Sequence, residues 1–388
     1  MSFNIVRKYF SVGEENMKEI RNSNHEIMRI LSMFFIVLGH VLLFGGLLET
    51  TNPNVSIIYN FIEFILIIHV NSYVLVSGYY QSKSSFKQSK LWKIINASWF
   101  YRVVIMILFS TLGIISISKG QVIKDLLPVT LDNYWFIKAY ILLYCLSPFL
   151  NKLINNISKT EYQKMLIVGF IIVSIIPNVT AGEFFENSGY TLYNFLYLYL
   201  LGAYLRIYPL DKSYIFKIFS KKMFQLIMII IFFSCAMLNN IIFYYGKQIY
   251  GINSILNAIS DNIKIASLAY SSPIIIIQSV AYFSFFTTLN FKSKFINRCS
   301  ALMLGVYFIH ENNYVRANIY KWLGVTTGPI NSLKFIPFVF LIAITIFVSC
   351  AIIEFIRQSI FSFISKKKIS VKIRQKYYEL IKKIYIVR

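Results

Sequence analysis

The sequence predicts an all-α, polytopic membrane protein, and its composition and its apolar runs are the two observations that predict this class. Of the 388 residues, 57% are hydrophobic and only 14% are charged, whereas a soluble domain has roughly 25% charged residues. Apolar runs recur along the whole chain, and many approach the roughly 20 residues that a membrane-spanning helix needs.

Ten predicted spans account for these runs. They lie at about 27–48, 56–80, 95–117, 134–151, 165–180, 190–209, 223–245, 265–290, 298–313 and 332–357. Lysine and arginine concentrate in alternate connections, such as the stretch from Lys83 to Lys93, which is the pattern of the positive-inside rule. We therefore expect both termini in the cytoplasm, with an N-terminal segment 1–26, a membrane domain 27–357 and a basic tail 358–388.

The basic charge indicates a membrane surface rather than nucleic acid. The formal net charge is +23, and much of it lies in the short connections that the charge rule assigns to the cytoplasmic side. Anionic lipid head groups are the expected partners of such segments. The sequence predicts no particular oligomeric state.

The first span contains two residues that are costly in hydrocarbon. Arg29 and His40 lie in MRILSMFFIVLGHVLLFGG, residues 28–46. They are eleven residues apart, which is three helical turns plus roughly 20°, so we expect them on one face and roughly 16 Å apart along the axis. Arg29 alone would suit an interfacial anchor, whereas His40 lies deep in the span.

Further titratable residues are predicted at a similar depth. His69 in the second span and His310 in the ninth lie, like His40, roughly 17–20 Å from the cytoplasmic ends of their spans by helix rise. Glu63 and Glu311 are close to them in sequence. Because ionisable groups inside spans usually face a bundle interior or a water-filled cavity, we predict a cavity near the membrane midplane. His69 would also suit a hydrogen-bonded structural residue.

Small residues near the end of the second span predict close helix packing. Ser77 and Gly78 lie in VSGYY, which does not match the G-x-S-x-G motif of a nucleophilic serine. Small residues let the backbones of neighbouring membrane helices approach closely. We therefore expect a helix crossing here rather than a nucleophile.

Four motifs in order make the chain resemble the acyltransferase-3 family of integral membrane acyltransferases, which O-acylate cell-surface glycans. They are the Arg-x10-His pattern of the first span, VNSYVLVSGYY with the lysines after it, YWFIKAYILLYCLSPFLNK and GVYFIHENNYVR. The resemblance covers about residues 27–357. The particular sequences of these motifs are similar to those of a branch of the family found in low-GC Gram-positive bacteria. The chain departs from many relatives at Glu26, where they have aspartate, and after SGYY, where they have arginines.

The resemblance implies acyl-CoA as a cytoplasmic donor substrate, with no permanently bound cofactor and no metal. Arg29, Lys83, Lys87 and Lys90 are expected to bind the phosphate-rich nucleotide end of the donor. The pantetheine arm would then extend through the bundle interior towards His40.

His40 is expected to meet the thioester, either as a general base on an acceptor hydroxyl or as a covalent acyl carrier. Glu63 or Glu311 is expected to orient a histidine, as carboxylates do in catalytic triads. Tyr307 and His310 are i, i+3 neighbours on one helix face. The predicted catalytic residues are His40, His310 and Glu311, and the predicted substrate-binding residues are Glu63, His69 and Tyr307.

The expected function is transfer of an acyl group, expected to be acetyl, from acyl-CoA to a hydroxyl of a cell-envelope polysaccharide or its lipid-linked precursor. The expected location is a bacterial plasma membrane, of the Gram-positive type. A transporter or flippase for a glycan precursor or an acyl donor is the alternative, which broken helices and paired half-repeats would favour. A glycan polymerase, expected to have a large outer loop, is a third reading, and the predicted outer loops are short.

Overall fold

A computed structural model of the chain describes residues 21–127, 134–180, 188–248, 262 and 267–366. Within these ranges the regular structure is helical and no strand occurs. The α-helices are α1 (Asn24–Phe44), α2 (Pro53–Leu66), α3 (His69–Gln81), α4 (Gln88–Thr111), α5 (Lys119–Leu126), α6 (Trp135–Asn155), α7 (Lys159–Phe170), α8 (Ile176–Val179), α9 (Leu192–Ile207), α10 (Lys221–Gln248), α11 (Pro273–Thr288), α12 (Lys294–Ser300), α13 (Met303–His310), α14 (Asn313–Trp322) and α15 (Ile336–Lys366).

Local sequence signals fix where several helices begin. The Asn52 side chain accepts hydrogen bonds from the first turn of α2, and Pro53 occupies the first helical position, where its missing N–H costs nothing. Ser158 and Glu161 form a capping box at the start of α7. These caps satisfy N–H groups that a helix start otherwise leaves unpaired.

Seven described helical stretches are long and apolar enough to cross a membrane, which agrees with the predicted class. They are Asn24–Phe44, Pro53–Gln81, Gln88–Thr111, Trp135–Asn155, Lys159–Val179, Lys221–Gly246 and Leu333–Ile364. The all-helical architecture is thus confirmed for the described residues. The count of ten spans and the cytoplasmic location of the termini stay predictions.

The other three predicted spans correspond to shorter helices. The sixth and eighth are α9 and α11, with 16 residues each. Pro273 is the first residue of α11, as expected for a residue that cannot donate inside a helix. The ninth is divided into α12 and α13 by a turn at 301–302, and the last helix continues to Lys366, past the predicted end at 357.

The second predicted span is interrupted. A two-residue turn at Ile67 and Ile68 separates α2 from α3. Nδ1 of His69 lies 3.0 Å from the carbonyl oxygen of Ile67, so the ring is held at this interruption. The predicted span at 56–80 corresponds to the stretch Pro53–Gln81, which is long and apolar enough to cross a membrane. The turn within it was not predicted, because apolar periodicity does not report a local turn between two helical segments.

The predicted close helix packing at Gly78 is confirmed. A Cβ added at Gly78 would lie 2.0 Å from the carbonyl oxygen of Tyr199, and one added at Gly202 would lie 2.2 Å from that of Leu75. The backbones of α3 and α9 therefore touch through two glycines. Ser77 donates its hydroxyl to the Tyr73 carbonyl at 2.9 Å, so it is bonded within its own helix.

We expect Gly202→Leu to prevent correct assembly of α3 against α9. The added side chain meets backbone that cannot rotate away, and overpacking of this kind costs about 3 kcal/mol. The measurement is the yield of monodisperse protein in detergent and its melting temperature. Gly120→Ala is the matched control, since its nearest neighbour lies 4.0 Å from the new Cβ. A Gly202→Leu protein that melts like the wild type would contradict the packing argument.

The start of α1 and the ends of α3, α9 and α11 lie at one end of the bundle. Nδ1 of His25 lies 2.9 Å from the Tyr80 hydroxyl, and Nε2 lies 3.0 Å from the Thr287 hydroxyl. Arg206, in the last turn of α9, lies over the Tyr79 ring at 4.6 Å. Because 16-residue helices rise about 24 Å, α9 and α11 begin at the opposite end.

Candidate active site

A cavity of about 1110 Å³ lies inside the bundle, and it provides the predicted internal chamber. Its lining comes from α1, α2, α3, α4, α6, α9, α13 and α14 and from the connections before α9 and α11. Ligand pockets in proteins usually measure roughly 300–1000 Å³. This cavity is therefore large enough for an extended substrate.

One face of α1 lines the cavity along its length. Arg29, Met33, Ile36 and His40 follow one another along the wall, at the three- and four-residue spacing of a single helix face. The expectation that Arg29 and His40 share a face is confirmed. The cavity thus joins an arginine near one end of the helix to a histidine about 16 Å further along.

His40 is held by a carboxylate. Its Nδ1 atom lies 3.0 Å from Oε2 of Glu311. The other carboxylate oxygen, Oε1, accepts a hydrogen bond from the Arg316 guanidinium. The contact between His40 and Glu311 does not have the geometry of a hydrogen bond, but because an ionised carboxylate only accepts hydrogen bonds, a ring proton on Nδ1 of His40 is the arrangement that favours it. The lone pair of His40 is then on Nε2, where it can accept a proton.

Arg316 is a functional candidate that the sequence did not reveal. The sequence suggested only a rare cation in an outer connection, five residues after Glu311. In the structure its guanidinium also lies over the Phe44 ring, at 4.7 Å, and Phe44 lies 5.2 Å from the His40 ring. Arg316, on α14, therefore contacts two neighbours of the His40 ring, Phe44 and Glu311.

A buried polar cluster fixes α14. Nε of Arg102 donates to Oδ1 of Asp125 at 2.7 Å, and the Tyr314 hydroxyl donates to the other oxygen of Asp125. Burial, aided by this hydrogen bond, raises the pKa of Tyr314 to about 12. The hydroxyl therefore keeps its proton and the contact at neutral pH. Since Tyr314 and Arg316 share one short helix, the cluster also positions Arg316.

His310 lies beside His40 but is not part of the cavity wall. The two rings are 5.3 Å apart, and His310 is fully buried. Its Nδ1 donates to the Val306 carbonyl at 2.7 Å, which leaves the lone pair on Nε2. That atom has no hydrogen-bond partner among the described residues. His310 is thus adjacent to the predicted centre, behind His40 and Glu311.

The three predicted substrate-binding residues, Glu63, His69 and Tyr307, all line the cavity. Glu63 lies beside α1, with Oε2 3.4 Å from the position of a Cβ on Gly39, next to His40. His69 is buried and held at the turn between α2 and α3. The Tyr307 ring lies 6.1 Å from that of His310. Of the two carboxylates expected to orient a histidine, Glu311 is the one in contact with His40.

Four cations line the end of the cavity nearest the start of α1, and we call them the cationic mouth. They are Arg21, Arg29, Lys90 and Arg206. A single carboxylate, Glu26, lies 3.1 Å from Arg21 and 3.2 Å from Arg29. The mouth therefore keeps an excess of positive charge.

Lys83 and Lys87 do not belong to the cationic mouth. Both are exposed and neither lines the cavity, so their contact with the donor stays a prediction. They lie in the turn before α4, whereas Lys90 lies within its first turn. Arg206 is a further cation of the mouth that the sequence analysis did not select, and its position inside a predicted apolar span was the sequence signal that could have found it.

His40, His310 and Glu311 also offer ligand atoms within 4.8 Å of one another. Two histidines and a carboxylate are a donor set that zinc accepts. One carboxylate oxygen of Glu311 is paired with the Arg316 cation, and the other lies 3.0 Å from Nδ1 of His40. A bound cation would meet that charge, so the arrangement suits proton transfer better than metal binding. The absence of a metal stays a prediction.

The fold and the site are those of a helical membrane protein with a histidine–carboxylate contact on the wall of a long internal cavity. The family model described as an acyltransferase domain, Acyl_transf_3, matches residues 22–354. The chain therefore belongs to this acyltransferase family, as its motifs predicted. No curated protein and no solved structure matches the chain.

Proposed function

We propose that the protein transfers an acetyl group from acetyl-CoA to a hydroxyl of a cell-envelope polysaccharide or its lipid-linked precursor, in the plasma membrane of a Gram-positive bacterium. The observation that carries this proposal is the series of contacts from His40 to Glu311 to Arg316 on the wall of the cavity. One end of the same cavity is the cationic mouth. Family membership supports acyl transfer, and the donor and the acceptor are those that the resemblance to the family implies.

The cationic mouth fits the nucleotide end of the donor. Phosphate groups are bound by arginine through paired N–H donors and by lysine as a point charge, and the mouth offers both. The pantetheine arm is long and thin. It would follow the face of α1 over the roughly 16 Å between Arg29 and His40, which would bring the thioester to the His40 ring.

The chemistry at His40 balances without an added reagent. Nε2 of His40 takes the proton of the acceptor hydroxyl, and the oxygen attacks the thioester carbonyl carbon. The carbon–sulfur bond breaks, the acetyl ester of the acceptor forms, and the CoA thiolate takes the proton back from His40. Glu311 stabilises the imidazolium between these steps, as a carboxylate does in a catalytic triad. The same nitrogen would serve if His40 carried the acetyl group covalently.

We expect acetyl-CoA to raise the melting temperature of the detergent-purified protein in a saturable way, because a ligand that binds only the folded state stabilises it. Arg206→Ala should raise the acetyl-CoA concentration at half-saturation about tenfold, since a charge-assisted hydrogen bond contributes about 1.5 kcal/mol or more. The measurement is a thermal melt over a titration of acetyl-CoA, with acetyl-CoA as the only ligand present.

Arg298→Ala is the matched control for the donor-binding test, because Arg298 is exposed and does not line the cavity. It should titrate like the wild type. No shift in the wild type at 1 mM acetyl-CoA, a concentration roughly a hundredfold above a Kd of about 10 μM, would contradict donor binding. Equal titrations of Arg206→Ala and Arg298→Ala would contradict the cationic mouth as the site.

The alternative of a transporter or flippase keeps one observation in its favour, the interruption between α2 and α3 at the cavity wall. Interrupted helices line substrate sites in transporters. A transporter would move the donor or the glycan without breaking the thioester. Release of free CoA thiol from acetyl-CoA, dependent on an added acceptor, therefore distinguishes the enzyme from this alternative.

A further inference from the structure

Three aromatic side chains gather at the end of the cavity opposite the cationic mouth. Trp135 is the first residue of α6, whereas Tyr190 and Tyr270 precede α9 and α11. The Trp135 ring lies 4.4 Å from Tyr190 and 5.9 Å from Tyr270, and the two tyrosines are 5.2 Å apart. All three line the cavity, and we call them the aromatic platform.

The connections that hold the aromatic platform are fixed by hydrogen bonds. The backbone N–H of Tyr270 donates to the Ser188 carbonyl at 2.9 Å, and Asn71 donates to the Tyr270 carbonyl at 2.9 Å. Gly189 has a φ of +79°, and a Cβ there would lie 2.6 Å from the Ser271 nitrogen. The two connections therefore meet backbone to backbone, which preorganises the rings for a ligand.

The aromatic platform is not simply core. Tyr190 is 47% exposed, and Trp135 is half-buried. Tyr270 is 8% exposed and packs in the core, so the area still to be gained by contact with a ligand belongs to Tyr190 and Trp135.

Glu63 lines the same cavity as the platform and carries a buried oxygen without a hydrogen-bond partner among the described residues. Other buried charges are paired: Arg102 lies 2.7 Å from Asp125, and Glu354 lies 2.7 Å from Arg357. Oε2 of Glu63 is buried and has no hydrogen-bond partner among the described residues. Buried polar groups are normally satisfied, so a donor from a ligand is expected here.

We infer that the aromatic platform and Glu63 form a subsite for one sugar ring of the acceptor. A pyranose has an apolar face of C–H groups, which packs on aromatic rings, and hydroxyls at its edge, which donate to a carboxylate. The ring would lie between the platform and His40, with a hydroxyl directed to Nε2 of His40. The inference rests on the proposed function for the reaction, but the sugar contact itself is independent of the chemistry.

The distribution of charge separates this subsite from the donor site. The cationic mouth attracts phosphate, whereas Glu63 offers it no positive charge, so the nucleotide is expected at the mouth. An alkyl chain would use the aromatic rings but not the carboxylate. A neutral, hydroxyl-rich ring uses both, which is why a sugar fits better than a second phosphate or a lipid tail.

The test follows tryptophan fluorescence during titration with a defined probe. The probe is the oligosaccharide released by mild acid from the producing cell's own surface polysaccharide and de-esterified with mild base. The chain has four tryptophans, and we expect a saturable change that comes from Trp135. Trp135→Phe should abolish the change, and Tyr190→Ala should raise the half-saturating concentration about tenfold, as loss of about 1.4 kcal/mol of ring contact predicts.

Tyr214→Ala is the control, because Tyr214 is 84% exposed and lies outside the cavity lining; it should titrate like the wild type. A wild-type signal that persists in Trp135→Phe, an unchanged midpoint in Tyr190→Ala, or no saturable change in the wild type would each overturn the subsite. Failure of the proposed function is seen separately, as the lack of an acetyl-CoA melting shift. The two failures are therefore distinguishable.

Discussion

Replacement of His40 by alanine is expected to abolish acetylation of the surface polysaccharide while leaving the protein folded. Loss of a general base typically lowers a rate about 10²–10⁴-fold, and His40 is the histidine that both lines the cavity and contacts Glu311. The measurement is the acetyl content of the polysaccharide by NMR, in a gene-deleted strain complemented with wild-type or variant protein at matched levels.

His40→Asn sharpens this experiment. An asparagine amide nitrogen can occupy the position of Nδ1 and still donate to Glu311, but it supplies no atom in place of Nε2. If proton transfer at Nε2 is the role of His40, the asparagine and alanine variants should be equally inactive. An acetyl-CoA melting shift of wild-type size in both variants shows that the donor site survived.

Two results would contradict the role of His40. Normal acetylation with His40→Ala would remove the residue from the chemistry. Loss of the polymer itself from the surface of the deleted strain would point to export or polymerisation instead of acetylation.

The second large effect is expected at Glu311. Glu311→Gln should lower kcat about 10²–10⁴-fold with little change in the KM for acetyl-CoA, since the amide can donate to Nδ1 and so move the His40 proton to Nε2. Glu311 acts through His40, so it is a positioning residue. The measurement is the steady-state rate of CoA thiol release by the purified protein, with the acceptor oligosaccharide present.

Arg316 provides the graded comparison for Glu311. Arg316→Lys keeps a cation beside Oε1 of Glu311 but loses the planar guanidinium, so we expect about a tenfold loss of kcat. Arg316→Ala removes the cation and should approach Glu311→Gln. A higher KM for acetyl-CoA with an unchanged kcat would show instead that Glu311 and Arg316 contact the donor and do not position His40.

The helical membrane class and the face of α1 could be predicted from the sequence because both depend on short-range patterns. The 3.6-residue period of a helix places Arg29 and His40 on one side whatever surrounds them, and the cavity wall follows that face. Small residues at Gly78 likewise predicted a close crossing, since the lack of a side chain is itself the physical cause.

Other features depended on how distant helices pack. The sequence left Glu63 and Glu311 open as partners of His40, and only the arrangement of α1 against α13 and α14 selected Glu311. A run of lysines suggested one donor site, yet Lys83 and Lys87 are exposed and do not line the cavity, whereas Arg206 does.

What the sequence by itself determined is therefore the environment and the local geometry: a helical chain built for a bilayer, with an arginine and a histidine on one helix face. Tertiary structure alone decided the pairing of His40 with Glu311, the second contact from Arg316 and the meeting of three aromatic rings from separate connections. The physical reason is range. Periodicity is fixed by bonds between near neighbours, whereas His40 and Glu311, like the three rings, lie far apart in the chain and meet only once the helices have packed. Arg316 is only five residues from Glu311, but their contact depends on the turn between α13 and α14.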